Sequence, residues 1–373
     1  HYDSMLRMFE EEKLREVRRR IAVMLEEVAD RKKAYRIGAS TYAVLIHSEE
    51  EIQKIYQYMR SRLPHQWRVG SETISHNYSY YQVVYPDDCT DYETLIQWIH
   101  YARSDHEGHH KQGELNHLQY DTTVEVAKRR KVENLIEEAI LDQRVEIHCQ
   151  PVYSIEKNRI TSLEVLARLR DEDKQYIDPE YFINIAEKNH AIIKLGELIF
   201  RRACIFASQN RIFEQGIEDI NINLSPGQCR YEHLTENLVC IAEEYGIPME
   251  RIHLEITESE FRDPVEVEQT LRRLQKTGAK VALDDFGTGC ATLLSILELP
   301  LDYVKIDKSL VWSYAEGDNQ FLNDLMPMIK AEGIKVIAEG IETKEHIEIF
   351  RSLGGDFLQG YYYSKPLPER EFI

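Results

Sequence analysis

AKVALDDF (residues 279–286), LDYVKID (301–307) and IKVIAEG (334–340) decide the architecture of this chain. Each is a short, nearly continuous apolar run that ends in charged residues, the pattern of a strand covered on both faces and opening onto a polar rim. FLNDLMPMIKAEG (321–333) lies between the last two and carries its apolar residues at helical spacing. Strand, helix and strand in that order make a parallel crossover. Working outward, EIHCQPVYS (146–154), TSLEVLARL (161–169), DININLS (219–225) and RIHLEITES (251–259) read as further strands. Helices are expected at ELIFRRACIFASQN (197–210), LTENLVCIAEEYG (234–246) and VEVEQTLRRLQKTG (265–278). Asp263, Pro264 and Glu266 supply an N-cap, a first-turn proline and a capping-box acid for the last of these. Such repeats beyond Gln143 favour a TIM-like (β/α)8 barrel, with an open doubly wound sheet as the alternative of the same periodicity. No glycine-rich phosphate loop follows the early strands.

Before Gln143 the pattern is mixed. Leu14, Val17, Ile21, Val23, Leu25 and Val28 mark an amphipathic helix, and AYRIGASTYAVLI (34–46) reads as two strands meeting at a turn that contains Gly38. EEEIQKIYQYMRSRL (49–63) and YETLIQWIHYARS (92–104) are helical, and ISHNYSYYQVVY (74–85) is a strand. The domain reading is therefore a small α+β domain over 1–117, a linker and start of a connecting helix over 118–130, and the barrel over 131–373.

Composition narrows the function. With 373 residues, 43% of them hydrophobic and 30% charged, the chain has the make-up of an ordinary globular protein large enough for two domains. Its 65 acidic residues against 46 basic ones give a net charge of −19, which repels duplex nucleic acid and anionic membrane alike. A small phosphate ligand remains compatible, because carboxylates can hold divalent cations that in turn hold phosphate. The six cysteines include no CxxC pair, which argues against structural zinc and a disulfide scaffold and fits a reducing cytoplasm. No run is long and apolar enough to span a bilayer, and the first twenty residues are too charged for a signal peptide. The sequence opens on His1, so an upstream sensor region, membrane-anchored or not, is an expectation.

The chemistry gathers at strand ends. Glu164, Asn223, Glu255, Asp284, Asp285, Lys305, Asp307 and Glu339 all lie in or at the ends of expected strands, and a barrel brings those ends to one mouth. So many carboxylates in one place require divalent cations or shifted protonation. An oxygen-only donor set suits Mg2+ or Mn2+ rather than zinc. Adjacent strand residues normally face opposite ways, so Asp284 and Asp285 can both serve metals only if the backbone turns there. Two such cations would clamp a phosphodiester and activate a water, with Lys305 stabilising developing charge. Asp307 and Glu342 read as supporting or surface groups, and Glu258 has a plain reading as a solvated carboxylate.

These segments resemble the EAL-domain family from about Lys131 to Ile373. The signature stands as Glu164-Val165-Leu166 followed by Arg168, with valine for the usual alanine. It continues as Asn223 in NLSPGQ, Glu255 and Glu258 in EITES, Asp284 and Asp285 in DDFGTG, Lys305 in KID, Glu339 in AEGIET and Gln359 in LQGYYYSKP. The resemblance implies hydrolysis of cyclic di-GMP to linear pGpG with two Mg2+ or Mn2+ ions, and inhibition by Ca2+. It implies that Glu164, Asn223, Glu255 and Asp284 hold one ion, that Asp284 and Asp285 serve the second, and that Glu339 binds through water or orients the hydrolytic one. Arg168, Leu166 and Gln359 would face substrate, and Lys305 would meet the water or a phosphate. The loop Asp285, Phe286, Gly287, Thr288, Gly289 would couple to homodimerisation, steadied by Glu258, although Cys290-Ala291-Thr292 departs from the usual aromatic and serine residues. A receptor that binds cyclic di-GMP without turnover is the competing reading.

The first domain is similar to a degenerate, N-terminally incomplete GGDEF domain. Where a cyclase carries Gly-Gly-Asp/Glu-Glu-Phe, this chain has Gly38-Ala39-Ser40-Thr41-Tyr42, so both acidic positions are gone and cyclase activity is not expected.

Overall fold

The computed structural model of the chain describes residues 11–29, 33–70, 72–75, 78–104, 113–118, 120–257, 264–288, 296, 298–317 and 320–371. Two compact units divide it, His1–Lys128 and Arg129–Ile373.

In the first unit, α1 (Glu11–Val28) buries Leu14, Val17, Ile21 and Leu25, one stripe at the i, i+3/i+4 spacing of an amphipathic helix. β1 (Ala34–Arg36) and β2 (Tyr42–Val44) form the antiparallel hairpin expected around Gly38. α2 (Glu49–Arg62) starts at the N-cap Ser48, whose hydroxyl accepts from Glu51 N. β3 (Gln66–Val69) and β4 (Glu72–Ser75) make a second hairpin, and Met59, Trp67 and Ile74 close the core on the α1 stripe. The strand expected over 74–85 is broken: β4 ends at Ser75, and a separate β5 (Tyr80–Gln82) pairs in parallel with β6 (Leu115–His117). Between the two strands Tyr78 turns its hydroxyl to donate to Pro64 O at 3.2 Å, so the chain changes partners. α3 (Tyr92–Ser104) buries Trp98 beside Cys89, Ala102, Leu118 and Val126.

The segment read as a linker and the start of a connecting helix is helical from Tyr120. α4 runs without interruption from Tyr120 to Leu141. Its first turns are held because Thr123 Oγ1 accepts from Trp98 Nε1 at 3.1 Å and Val126 is buried with Trp98.

The second unit is built on a closed sheet. Its strands are β7 (Glu146–Ser154), β8 (Arg159–Arg170) with the short β9 (Tyr176–Ile177) at its end, β10 (Asp219–Asn223), β11 (Ile252–Thr257), β12 (Lys280–Phe286), β13 (Tyr303–Ile306), β14 (Lys335–Ala338), β15 (Phe357–Gln359) and the edge piece β16 (Leu367–Pro368). Helices cover it: α5 (Pro179–Lys188), α6 (Ile192–Gln209), α7 (Pro226–Cys229), α8 (Leu234–Glu244), α9 (Pro264–Lys276), α10 (Lys308–Ala315), α11 (Phe321–Ala331) and α12 (Lys344–Ser352). β8, β10, β11, β12, β13, β14 and β15 run parallel in that order, and β7 bonds to both β8 and β15 to close the ring. The barrel is thus of the TIM type but distorted, because β7 is antiparallel to both its neighbours. Only Ile155–Asn158 separates β7 from β8, enough for a hairpin and far short of the dozen or so residues a parallel crossover needs.

Strand alternation sorts the side chains into layers. Leu163, Val165, Ile220, Ile222, Leu254, Ile256, Val281, Leu283, Val304, Ile306 and Val336 point outward into the large core shared with the helices. Inside the ring, Val152, Ala282, Tyr303 and Ile337 form an apolar floor, with Phe357 against it. One step nearer the strand C-termini, the same faces carry Glu164, Asn221, Glu255, Asp284, Lys305 and Gln359, all buried. The site is therefore the polar layer above an apolar plug. Among the described residues no helix is long and apolar enough to cross a membrane.

Candidate metal centre

Lys305 is the centre of this layer. It is 1% exposed, and its Nζ lies 3.2 Å from Glu164 Oε2, 2.9 Å from Glu255 Oε2, 3.0 Å from Asp284 Oδ1 and 3.0 Å from Glu339 Oε1. Burial alone would pull its pKa down, but Asp284, Glu164, Glu255 and Glu339 hold it well above the ordinary lysine value, so the ammonium persists.

The carboxylates respond differently to a shared environment. Burial would raise Glu164, yet the charge of Lys305 and hydrogen bonds from Gln359, Lys305 and Asn223 keep it below its ordinary value. Glu255 receives Asn221 Nδ2 at 2.8 Å, but desolvation and the neighbouring charge of Glu164 push it well up. Desolvation, only partly offset by Lys305, pushes Glu339 up to about 8. Asp285 reaches the mouth surface, and partial desolvation followed by the charge of Asp284 pushes it up to about 6. Five acids against one ammonium is an excess of negative charge that protons relieve when nothing else does.

The backbone turn that the Asp284-Asp285 pair demanded is present. Asp285 has φ 54°, and the β12–β13 register shifts between Leu283 and Phe286. The bulge brings both carboxylates to the same mouth, and Asp285 N donates to Asp284 Oδ1 at 3.0 Å. Oxygens of Asp284, Asp285 and Glu339 all lie within 4.8 Å of one another. Two buried amide oxygens, Gln359 Oε1 and Asn221 Oδ1, have no hydrogen-bond partner among the described residues. An all-oxygen donor set with unpartnered acceptors nearby fits a hard divalent cation.

The other expected residues fall into three groups. Asn223 sits at the mouth end of β10, and its Nδ2 donates to Glu164 Oε1 at 3.4 Å. Gln359 Nε2 donates to Glu164 Oε2 and to Gln150 Oε1. Leu166 and Arg168 follow Glu164 on the same face of β8; Arg168 is half-buried, its Nη1 donates to Ala167 O at 2.8 Å, and no described carboxylate pairs with it. Phe286 is buried at the end of β12, and beyond Gly287 the chain turns back as Thr288 Oγ1 donates to Asp285 O at 3.1 Å. Asp307 is the N-cap of α10, accepting from Ser309 N at 2.8 Å, and Glu342 is exposed. Glu258 and Gly289 lie outside the described residues, as does Asp263. The sequence reading missed Gln150 and Asn221, which sit at inward positions of β7 and β10 and are legible only once the inward face of each strand is known.

A barrel with acidic oxygen donors at its strand C-termini defines a class, the α/β barrels that hold cations at the mouth. The EAL domain model matches residues 133–366, and the chain belongs to the EAL-domain family. It is 31% identical over 245 residues to signaling protein YkoW of Bacillus subtilis (strain 168), covering 64% of this chain and 30% of that one. It is 33% identical over 239 residues to the probable cyclic di-GMP phosphodiesterase PdeB of Escherichia coli (strain K12), covering 64% of this chain and 46% of PdeB. The chain thus spans less than half the length of either curated relative. The EAL enzyme Bd1971 in its cAMP- and cyclic-di-GMP-bound form superposes with a TM-score of 0.61 at 28% identity, over 66% of this chain and 69% of that one.

Proposed function

We propose that the barrel unit is a metal-dependent phosphodiesterase that opens cyclic di-GMP to linear pGpG. The observation that carries this reading is the grouping of Asp284, Asp285 and Glu339 oxygens within 4.8 Å of one another, beside a lysine that stays charged. The likeness to PdeB and to the ligand-bound Bd1971 supports the substrate.

In this reading Glu164, Asn223, Glu255 and Asp284 would hold one Mg2+ or Mn2+, Asp284 and Asp285 would serve the second, and Glu339 would bind through water or orient the attacking one. Divalent cations held there would supply Lewis acidity toward the phosphodiester and toward a water. The chain supplies the rest. Lys305 offsets the carboxylate charge without needing a proton from solvent. Asn223 and Gln359 hold Glu164 in one orientation through their amide hydrogen bonds. Arg168 presents a guanidinium at the mouth that a substrate phosphate would engage, with Leu166 under the ligand. Calcium, larger and looser in its coordination, would misplace water and phosphate and inhibit. We further propose that a homodimer forms through the barrel unit, with the 285–289 loop coupling to it, and that the first unit is a degenerate GGDEF domain. Its β1–β2 turn carries no acid, which supports a noncatalytic role.

Purified protein supplied with Mg2+ or Mn2+ should convert cyclic di-GMP to pGpG on chromatography, and chelation should abolish it. Glu164→Ala and Asp284→Ala should each lower turnover by a factor on the order of a hundred or more. A folded, metal-loaded chain that binds cyclic di-GMP and yields no linear product would replace this reading with that of a receptor.

Cation affinity should also depend on pH in a definite direction. The raised acids, Glu255, Asp285 at about 6 and Glu339 at about 8, must lose protons to bind metal, so affinity should strengthen as pH rises through about 6 and about 8. Titration calorimetry in buffers of different ionisation enthalpy should record protons released per cation, fewer at pH 9 than at pH 7. Affinity that does not change with pH would contradict these protonation states.

A further inference from the structure

Glu339 lies just past the end of β14, where its own strand ladder no longer fixes it. Four hydrogen bonds hold its segment. Glu339 N donates to Ile306 O at 3.0 Å, on the β13 side. Ile341 N donates to Gln359 O at 3.0 Å, and Tyr362 N to Ile341 O at 2.9 Å, on the β15 side. The fourth comes from a side chain: Trp312 Nε1, on α10, donates to Gly340 O at 2.8 Å. Gly340 makes room for it. Its φ is +64°, and a Cβ there would stand 2.3 Å from Lys308 Cβ and 3.2 Å from Trp312 Nε1, so the backbone lies directly on the helix. Lys308 Nζ lies 5.9 Å from the centroid of the indole ring. α10 itself begins at the N-cap Asp307, two residues beyond Lys305, so the helix that carries Trp312 is tied to the lysine at the centre of the site.

We propose that Trp312 is a positioning residue for Glu339: its indole N–H fixes the carbonyl of Gly340, the residue after Glu339, and so sets where that carboxylate stands relative to Asp284, Asp285 and Lys305. Among the described residues its hydrogen bond goes to Gly340, through which it acts. The inference rests on the reading of Glu339 as part of a cation site. Its consequence is specific, because loss of the indole N–H should loosen one ligand of the cluster and leave the rest in place.

The test uses the full chain, with Mg2+ or Mn2+ as the probe and affinity measured by calorimetry. Trp312→Phe keeps an aromatic ring on α10 without the donor, and Trp312→Leu removes the donor with a different shape; thermal unfolding identifies which variant remains folded. Either folded variant should weaken cation binding roughly three- to tenfold, the range expected for one lost hydrogen bond. The decisive comparison is a double-mutant cycle with Glu339→Gln. If Trp312 acts through Glu339, Trp312→Phe should have no further effect on cation affinity once residue 339 is Gln; an equal loss in both backgrounds would make Trp312 a general packing residue and overturn the proposal. A spectroscopic readout is independent of affinity. The chain has three tryptophans, Trp67, Trp98 and Trp312, and with 5-fluorotryptophan the 19F resonance missing from Trp312→Phe should be the one Mg2+ shifts. If the cation binds and that resonance does not move, the positioning role is lost while the metal site stands. If no cation binds the unmodified chain, both fall.

Discussion

Replacing Lys305 with Met in metal-free protein should cost about 3–5 kcal/mol of stability at pH 8, the penalty for leaving buried charges without their partner. The ammonium stands within 3.2 Å of four carboxylates, two of them, Glu164 and Glu255, at most 5% exposed. No other cationic side chain among the described residues pairs with any of the four, so the loss has no local substitute. The cost should depend on pH with a fixed sign. Below pH 6 Asp285 and Glu339 are protonated, fewer charges need the lysine, and the variant should lose less; as pH rises through about 6 and then about 8 both acids ionise and the penalty should grow. Urea unfolding at pH 5.5 and pH 8 measures both values, and added Mg2+ should recover part of the loss at the higher pH. A penalty under about 1 kcal/mol that is the same at both values would mean that Lys305 is not what neutralises the cluster.

Gly360→Ala should be nearly as damaging for a different reason. Gly360 follows Gln359, and a Cβ there would stand 2.2 Å from both Ile341 N and Ile341 O, atoms of a backbone that cannot swing aside. This close approach lets Ile341 N reach Gln359 O, and so brings the chain after Glu339 against the chain that carries Gln359. Relief requires the two segments to part. The expected cost is on the order of 3 kcal/mol, the upper range for overpacking, since both clashing atoms are main chain. Separating them moves Gln359 away from Glu164 and Glu339 away from Asp284, so hydrolysis by the folded fraction should fall as well. Unfolding measured together with turnover per folded molecule separates the two effects. Retention of both by the alanine variant would show that the approach is not needed.

How much of this was legible in the sequence depends on the distance over which each feature is encoded. Glu164, Glu255, Asp284 and Lys305 could be singled out because each falls in or at the end of an expected strand, and a barrel brings strand ends to one mouth. The reversed first strand had a local signal as well, since Ile155–Asn158 is too short for a crossover, but periodicity cannot report direction. α5, α10 and α12 were not anticipated; they are short, and their apolar faces are set by what they cover more than by pattern. The bulge at Asp285 was inferable only as a requirement of the chemistry, because an acid at positive φ has no sequence signature. The connecting helix starts earlier, at Tyr120, than the pattern from Val126 suggests, and its first turns are held by Trp98, a tertiary contact beyond any local window. Trp312 lies further still from such reading: its partner is 28 residues away, and nothing around either position announces the bond.

The central claim is that the carboxylates at this mouth form a cage for divalent cations. Crystals soaked in Mn2+, with diffraction collected above the manganese edge, test it most directly. The account predicts anomalous density among the carboxylates of Asp284, Asp285 and Glu339; soaked crystals with no such density there, or with it only on the protein surface, would contradict it.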